Sequence, residues 1–378
     1  MKPTLASLRL LVFTFFMSIL IAGCAGLGNP PAAAPGNPPG NGGGNTTPQH
    51  NTFVFTRDLT TGNVLEFRTN SDGTLTAVSG SPLSLGARAI RTGGSRLFVA
   101  TDTNLVAYNV DPASGGLTQV SSIALPPASF GIERHVAADT SHVYVDGKNS
   151  AGDRAVFGFI VGANGSLSAA PGTPPSVALS CDLCSSPVLM EMNSHFLLVS
   201  MSEAGHGPGA VDIFSIQADG SLKEASGLLG TGISIALHPN GQFEYDINAD
   251  EFFEGNRIDS SGQVHNIFSR NDSSVSFGAV ALNPAGTILL VSAAQSQTVL
   301  EVQSYTVNQS TGDITKMASP ALFPRNFGSA TFDPTGRFVF MNQDNHLLVF
   351  SFNSADGTFK QLQDIAAAEM GQLYFVVF

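Results

Sequence analysis

The tripeptide Gly73-Thr-Leu75 is the first of seven turns in this chain that share one pattern: a glycine, any residue and an apolar residue. The other six are Gly115-Gly-Leu117, Gly165-Ser-Leu167, Gly220-Ser-Leu222, Gly262-Gln-Val264, Gly312-Asp-Ile314 and Gly357-Thr-Phe359. Successive glycines are separated by 42, 50, 55, 42, 50 and 45 residues. A period of this length is typical of the blades of a β-propeller, in which each repeat is one small sheet. The turns therefore predict seven repeats of an all-β protein.

Three other segments recur between the turns and supply the remaining strands. One is a small or apolar segment that ends in proline, as in Ser234–Pro239, and another is a β-rich run, as in Phe338–Met341. The third alternates, as in Val211–Ile216, and period-two alternation marks a strand with one buried face. Together with the strand after each turn, these segments predict four antiparallel strands per repeat.

The two ends of the repeat region complement each other. Thr52–Phe55 matches a second strand with no first strand before it, and Gln372–Val377 matches an innermost strand. We therefore expect three N-terminal strands and one C-terminal strand to form one blade, which pairs the exposed edges and closes the ring. The predicted fold is a seven-bladed β-propeller of four-stranded antiparallel blades over residues 51–378.

Composition limits the partners of this domain. The 378 residues include 17 Lys and Arg against 29 Asp and Glu, for a net charge of −12. No basic stripe exists to neutralise phosphates, which argues against nucleic acid, and the acidic balance is unsuited to an anionic membrane surface. We expect a monomer that needs no cofactor.

The N-terminus reads as a targeting segment. Lys2 and Arg9 precede an apolar run, Leu10–Ile21, which is too short to span a bilayer and is typical of a signal peptide. The sequence Ile21-Ala-Gly-Cys24 resembles the lipobox of bacterial lipoproteins, in which the cysteine is acylated and becomes the mature N-terminus. The alternative is an ordinary secretory signal with a chance cysteine.

Residues 1–23 are thus predicted to be a lipoprotein signal peptide, with lipidation at Cys24. Ala25 follows that cysteine, and in Gram-negative bacteria this resembles an outer-membrane destination, on either the periplasmic or the surface face. Residues 24–50 are rich in Gly, Pro, Ala and Asn, with no charged residue. They are predicted to be a disordered tether with a reach of roughly 25–30 Å.

Two segments carry a family resemblance. Phe323–Phe350 (FPRNFGSATFDPTGRFVFMNQDNHLLVF) resembles the last blade of the lactonase, or 6-phosphogluconolactonase-like, seven-bladed propellers, and His238–Asn248 resembles another blade. The resemblance implies a lactone-handling pocket at the end of the central channel, with Arg, His and Glu on several innermost strands. Ring opening of a lactone needs a base for water and donors for the oxyanion.

This chain departs from the family at most of those positions. Ile233 and its neighbours replace a common Pro-Arg-His, Ala249 replaces a Glu, and Ala281 replaces a His. Arg325 matches the family, and His135 is a less secure match. These two are the candidate catalytic residues.

Four arginines fall just before or at the start of predicted innermost strands. Together with Asn342 they are the candidate ligand-binding residues: Arg88, Arg134, Arg270 and Arg325. Their guanidinium groups could hold a carboxylate or phosphate at the channel mouth. The alternative for each is that it caps its own loop or pairs with a local acid. Glu133-Arg-His135 is similarly either a tuned base or a structural polar cluster.

Three remaining features favour structural interpretations. Cys181 and Cys184 predict a disulfide that closes a loop, because disulfides are the usual state of paired cysteines outside the cytoplasm. The sequence has no second cysteine pair, which a closed zinc site would need. The acidic residues Asp246, Asp250, Glu251, Glu254 and Asp259 predict a solvated loop, although Ca²⁺ is chemically compatible with oxygen ligands. No metal site is predicted, and His206 is expected in a surface loop.

The leading hypothesis from the sequence is a lipid-anchored envelope propeller that binds a small anionic or lactone ligand, or a protein partner, at its channel mouth. In this hypothesis most of the family's catalytic residues are lost. The alternative is a lactone hydrolase that uses Arg325 with His135 or a loop acid.

Overall fold

The computed structural model describes residues 51–378, apart from short gaps at 129–133, 172–175, 180–183, 204–206, 230–231, 249–251, 272–275, 297–298, 318–320, 324–328, 344 and 367–369. The described residues form seven antiparallel sheets, each with its strands in radial order. No helix occurs among them, so none of them forms a helix that could cross a membrane. The predicted all-β, seven-bladed propeller is confirmed.

Blade 1 closes the ring as predicted. It combines β1 (Thr52–Asp58), β2 (Val64–Thr69) and β3 (Leu75–Ala77) with β30 (Met370–Val377), in the order β3-β2-β1-β30. Thr52 of β1 is opposite Val377 of β30, and the pairing continues to Asp58 opposite Met370. The C-terminal strand therefore occupies the innermost position of the blade that the N-terminal strands begin.

The other six blades each use consecutive strands, which run outwards from the channel. Blade 2 has β4 (Ala89–Gly93), β5 (Arg96–Ala100), β6 (Asn104–Val110) and β7 (Leu117–Ala124); blade 3 has β8 (Val136–Ala138), β9 (His142–Lys148), β10 (Arg154–Val161), β11 (Leu167–Ala169) and β12 (Ser176–Ala178); blade 4 has β13 (Cys184–Met192), β14 (Phe196–Glu203), β15 (Gly207–Ile216) and β16 (Leu222–Leu229). Blade 5 has β17 (Gly232–Leu237), β18 (Phe243–Asn248), β19 (Phe253–Ile258) and β20 (Val264–Arg270); blade 6 has β21 (Ser276–Leu282), β22 (Ile288–Ser296), β23 (Val299–Val307), β24 (Ile314–Lys316) and β25 (Ala321–Phe323); blade 7 has β26 (Ser329–Phe332), β27 (Phe338–Gln343), β28 (His346–Asn353) and β29 (Thr358–Ala366).

Blades 3 and 6 depart from the predicted four strands. In each, the outermost strand is only three residues long and covers one end of the third strand. A second short strand, β12 in blade 3 and β25 in blade 6, pairs with the other end of the same third strand. The outer edge is thus covered in two pieces, which leaves few unpaired backbone groups on an exposed strand.

The apolar core is divided into seven clusters, one between each pair of neighbouring blades. Phe53 of blade 1 packs with Leu97 of blade 2, for example, and Val54 of blade 1 packs with Phe340 of blade 7. Because strand side chains alternate between two faces, each blade contributes to two of these clusters. Removing one blade would therefore expose two apolar faces, so the ring is stabilised only as a closed whole.

The seven glycine turns lie at these contacts between blades. All seven glycines have positive φ angles, between 78° and 89°, a backbone conformation that residues other than glycine rarely adopt. The preceding blade donates a hydrogen bond to three of their carbonyls: Tyr144 Oη to Gly220 O at 3.0 Å, Tyr245 Oη to Gly312 O at 2.8 Å and Ser304 Oγ to Gly357 O at 3.0 Å. The repeat that marks the fold in the sequence also joins its blades.

Candidate functional site

An ion pair crosses the central channel. Arg91 lies on β4, the innermost strand of blade 2, and Glu191 lies on β13, the innermost strand of blade 4. The guanidinium donates from Nη1 to Oε1 at 3.3 Å and from Nη2 to Oε2 at 3.0 Å, with side-chain exposures of 0% and 1%. Because blade 3 separates the two blades, the side chains meet across the channel.

The register of the innermost strands explains how these two long side chains reach each other. Arg91 is opposite Phe98 and Glu191 is opposite Leu198, which are the same position in their respective blades. The corresponding residues of blades 3, 5 and 6 are Ala137, Ala236 and Ala281. Small side chains at this level leave room for the arginine and glutamate.

Tyr374 of β30 completes the group. Its ring lies under the Arg91 guanidinium, 5.2 Å from ring centroid to Cζ, and its hydroxyl donates to Gln372 Oε1 at 2.6 Å. Burial raises the pKa of the Tyr374 phenol, so the hydroxyl is neutral and a donor. Three blades thus bring an acid, a cation and an aromatic ring to one point of the channel.

Charges at this site are strongly coupled. Burial disfavours the charged form of Arg91, but the Glu191 carboxylate outweighs it and the pKa of the guanidinium lies above its ordinary value. Both terminal nitrogens of Arg91 are occupied by Glu191, whereas its Nε is buried and has no acceptor. A buried donor without an acceptor is costly and therefore unusual, so the Arg91 Nε–H is a group that a ligand oxygen could satisfy.

A second polar pair lies where blade 3 begins. His135 precedes β8, and its Nδ1 is 3.9 Å from Oδ2 of Asp146, which is only 1% exposed. The other Asp146 oxygen, Oδ1, accepts from the His135 backbone N–H at 2.6 Å. The imidazole itself is about one-fifth exposed, so it can meet a molecule from solvent. Of the two candidate catalytic residues, His135 is the one within the described structure.

Two of the four predicted ligand-binding arginines have structural partners instead. Arg88 pairs with Asp102, with Nε 2.7 Å from Oδ1 and both side chains partly exposed. Arg134 is buried and donates to four backbone carbonyls, those of Thr101, Asp102, Pro126 and Asp146, over 2.6–3.1 Å. These contacts hold the start of blade 3 against the β5–β6 loop of blade 2. Protein oxygens already use donors of both side chains, and the ligand-binding role of Arg88 and Arg134 remains a prediction.

Arg270 and Asn342 also contact other parts of the protein, and their ligand-binding roles remain predictions. Arg270 ends β20, the outermost strand of blade 5, and its guanidinium lies over the rings of Phe268 and Tyr305, 5.0 and 5.6 Å from their centroids. Asn342 Nδ2 donates to the carbonyls of Met370 and Gly371 in β30. Arg270 therefore joins blades 5 and 6 at the rim, and Asn342 secures the closing strand.

Several predicted residues lie outside the described part of the chain. They are Cys24, Glu133, Cys181, His206, Asp250, Glu251 and Arg325. Cys184 begins β13, but its side chain is not among those described. The predictions of lipidation, of a disulfide and of an Arg325 role therefore remain predictions.

The predicted solvated acidic loop is wrong for Asp246 and Glu254. Asp246 lies in β18 with an exposure of 2%, and Glu254 lies opposite it in β19. Asp259 does occupy a turn, where its Oδ1 accepts from Ser261 and Gln263 and its Oδ2 is 3.0 Å from His265 Nε2. Among the described residues, no group of three or more His, Cys, Asp or Glu side chains is arranged to hold a metal ion.

Sequence reasoning missed Arg91, Glu191 and Asp146. Arg91 and Glu191 are the single charged residues of their innermost strands, Ala89–Gly93 and Cys184–Met192, and a lone charge on such a strand was the available signal. The ligand-binding prediction was instead made for the arginines that lie just before innermost strands or at their start. Aligning the seven innermost strands at their turns places Arg91 and Glu191 at the same level, which would have paired them.

Comparisons with solved structures agree with the fold. The chain is similar to a candidate 6-phosphogluconolactonase of Bacteroides uniformis (TM-score 0.65, 18% identity, 86% of this chain and 99% of that one) and to one of Bacteroides fragilis (0.62, 17%, 88% and 99%). It is also similar to the periplasmic gluconolactonase of Pseudomonas aeruginosa (0.64, 17%, 86% and 99%). No protein-family model matches the sequence, and no curated protein matches it. The chain thus has the lactonase-like seven-bladed propeller fold.

Proposed function

We propose that this protein is a lipid-anchored propeller of the bacterial cell envelope that binds a small, oxygen-rich molecule in its channel and turns over lactones weakly or not at all. The ligand class is a sugar acid or its lactone, which the lactonase-like fold and the names of two structural neighbours favour. The anchor at Cys24, the outer-membrane location and the monomeric state belong to this proposal.

The observation that supports the proposal is that both terminal nitrogens of Arg91 donate to the Glu191 carboxylate. A general base works best when its pKa lies near the operating pH, and a carboxylate held by a fully buried guanidinium is a weak base. Glu191 is therefore poorly suited to activate water. The unpartnered Nε–H of Arg91 and the ring of Tyr374 can still position a ligand oxygen and a sugar face. These groups suit binding better than hydrolysis.

Binding can be tested by calorimetric titration of the purified protein with gluconate and with glucono-lactone. Arg91→Lys keeps a cation opposite Glu191 but removes the Nε donor, and we expect it to weaken affinity by about tenfold or more, the effect of one hydrogen bond to a charged group. Arg88→Lys changes a partly exposed pair elsewhere and is expected to bind as the wild type does. Equal affinity of the Arg91→Lys and wild-type proteins would contradict this site.

Lactone hydrolysis is the second candidate function, and the observation that favours it is the His135–Asp146 pair. Asp146 is buried and lies beside an imidazole that solvent reaches, the arrangement of an oriented general base. At 3.9 Å the two side chains are not hydrogen-bonded, and the nearby Arg134 gives its donors to backbone carbonyls. Arg134 therefore supplies no donor for the oxyanion beside His135. Lactone hydrolysis is for this reason less well supported than binding.

A further inference from the structure

Two carboxyl groups are buried side by side between blades 4 and 5. Glu244 and Asp246 are two residues apart on β18, so they share one face of the strand, and their exposures are 0% and 2%. Phe243, Tyr245 and Ile247, on the opposite face, pack against blade 6. The two acids therefore face blade 4, whose β14 and β15 contribute apolar side chains to that interface.

One amide serves both acids. Asn256 Nδ2 donates to Glu244 Oε2 at 3.0 Å and to Asp246 Oδ2 at 3.3 Å, which holds the two carboxyl groups close together. The remaining oxygens, Glu244 Oε1 and Asp246 Oδ1, are buried and receive no donor from another residue. Two carboxyl groups held this close by one amide can hydrogen-bond each other only when one of them holds a proton.

The surroundings do not supply a compensating cation. Opposite the pair on β17 and β19 are Ile235, Leu237 and Glu254, and Ser200 lies on the facing side of β14. Lys223 shares that side of blade 4 by the alternation of β16, but it is exposed. Ser215 of β15 and Glu191 of β13 also lie on this side of blade 4, and the Glu191 carboxylate is held by Arg91. Buried like charges without a cation cannot both ionise at low cost.

We infer that Glu244 and Asp246 share one proton, and that the loss of this proton loosens blade 5 against blade 4. Burial first, and the neighbouring charge of Glu254 next, raise the pKa of Glu244 to about 7, and the pKa of Asp246 lies well above its ordinary value. The contact between the two blades is thus sensitive to pH between the ordinary carboxyl pKa and about 7.

The sign of the effect follows from where the proton is held. In an opened interface both groups face water and titrate near their ordinary pKa values, whereas the closed interface keeps the proton up to about pH 7. Closure is therefore fully favoured at acidic pH and weakens as the pH rises towards 7. The opening equilibrium grows by up to about tenfold per pH unit in this window and levels off above it, when both states have lost the proton.

Amide hydrogen exchange of the purified protein between pH 5 and pH 8, corrected for intrinsic exchange, measures this opening in the β14 and β18 segments. We expect the pH-dependent rise in the wild type and a flat response in Glu244→Gln, with Asp246→Asn as a second variant if the first folds poorly. Glu224→Gln, an exposed acid on β16, is the matched control and should behave as the wild type.

Infrared difference spectra give a second measurement. At pH 5.5 the wild type minus Asp246→Asn should show the carbonyl band of a protonated carboxylic acid. The inference is overturned if that band is absent, if Glu244→Gln and wild type open with the same pH dependence, or if Ca²⁺ at pH 8 restores the protection seen at pH 5. The last result would make the pair a cation site.

Discussion

At the scale of single residues, burial separates the channel arginine from those at the loops. Arg88 and Asp102 form a partly exposed pair of the kind that contributes about 0–1 kcal/mol to stability. Arg91 and Glu191 are removed from water almost completely, so their mutual contact offsets a large desolvation cost for each. Losing one partner strands the other charge in the channel, and this makes the pair sensitive to single substitutions.

We expect Arg91→Met to lower the free energy of unfolding by about 3–5 kcal/mol, because the buried Glu191 carboxylate loses the guanidinium that faces it in the channel. The double variant Arg91→Met/Glu191→Met should recover most of this loss. Arg88→Ala, as the control, should change stability by about 1 kcal/mol or less. Urea denaturation followed by far-UV circular dichroism measures all three, and a cost for Arg91→Met no larger than that for Arg88→Ala would contradict the buried pair.

Individual site residues were only partly predictable from the sequence. The positions of Arg88 and Arg134 at strand starts were read correctly, but a position along the chain does not say which acceptors are near. Asp102 and the loop carbonyls that occupy these arginines become neighbours only through packing of successive blades. Arg91 and Glu191 are separated by 100 residues, and only the ring brings them together.

At the scale of elements, the glycine turns are the joints between blades. The Cβ that an alanine would add at Gly312 comes within 2.6 Å of Ile267 Cδ1 and of Phe243 Cδ1, and the φ angle there is +78°. At Gly152 the φ angle is similar, +90°, but nothing lies within 4 Å of the added atom. The two positions thus separate backbone strain from crowding.

Gly312→Ala should therefore lower the free energy of unfolding by about 2–4 kcal/mol, since strain at positive φ adds to overpacking. Gly152→Ala should cost about 1–2 kcal/mol from strain alone. Thermal or chemical denaturation of both variants gives the comparison. Equal costs would mean that the turn at Gly312 does not pack tightly against blade 5.

The closing strand is the second element whose role can be tested by removal. Deleting residues 370–378 removes β30, which leaves β1 with an unpaired edge and opens the contact with blade 2. We expect the truncated protein to lose cooperative unfolding or to melt well below the full chain. Deleting the predicted tether, residues 25–49, should leave the melting temperature unchanged, and the same result for the β30 truncation would contradict ring closure.

At the scale of the whole molecule, buried acids make stability depend on pH. Burial raises the pKa of Glu66, on β2, to about 7. Its folded-state pKa is thus above the unfolded value, so the stability associated with its proton is present at acidic pH and is lost as the pH rises towards 7. Buried His238 opposes this trend, because burial lowers its pKa and acid below about pH 6.5 therefore favours unfolding.

Glu66→Gln replaces the titrating acid by a neutral side chain of the same length. We expect its melting temperature, relative to that of the wild type, to rise between pH 5 and pH 8. Asp72→Asn, at an exposed turn of the same blade, serves as the control and should show no rise of this sign, since hydrogen bonds to Thr74 lower the Asp72 pKa. A melting-temperature difference for Glu66→Gln that is constant over this range would contradict a protonated Glu66.

The whole fold was far more predictable than its site. Seven glycines at positive φ repeat a local requirement of the backbone, so the sequence itself records their spacing, and the ends at Thr52 and Val377 record the closure. Short additional strands such as β12 and β25 leave no comparable repeat. Contacts across the channel depend on the level each strand reaches after folding, and the periodicity does not encode that level.

Lactone turnover is the measurement that tests the proposed function most directly. Hydrolysis of a panel of sugar lactones by the purified protein would be followed against the spontaneous rate, with His135→Gln and Arg325→Ala alongside. Because Glu191 is held by Arg91, and because Arg134 gives its donors to backbone carbonyls, we predict a rate little or no higher than the spontaneous one for any lactone, including those that bind. Turnover above this background that His135→Gln or Arg325→Ala abolishes would contradict the proposal and identify a lactone hydrolase.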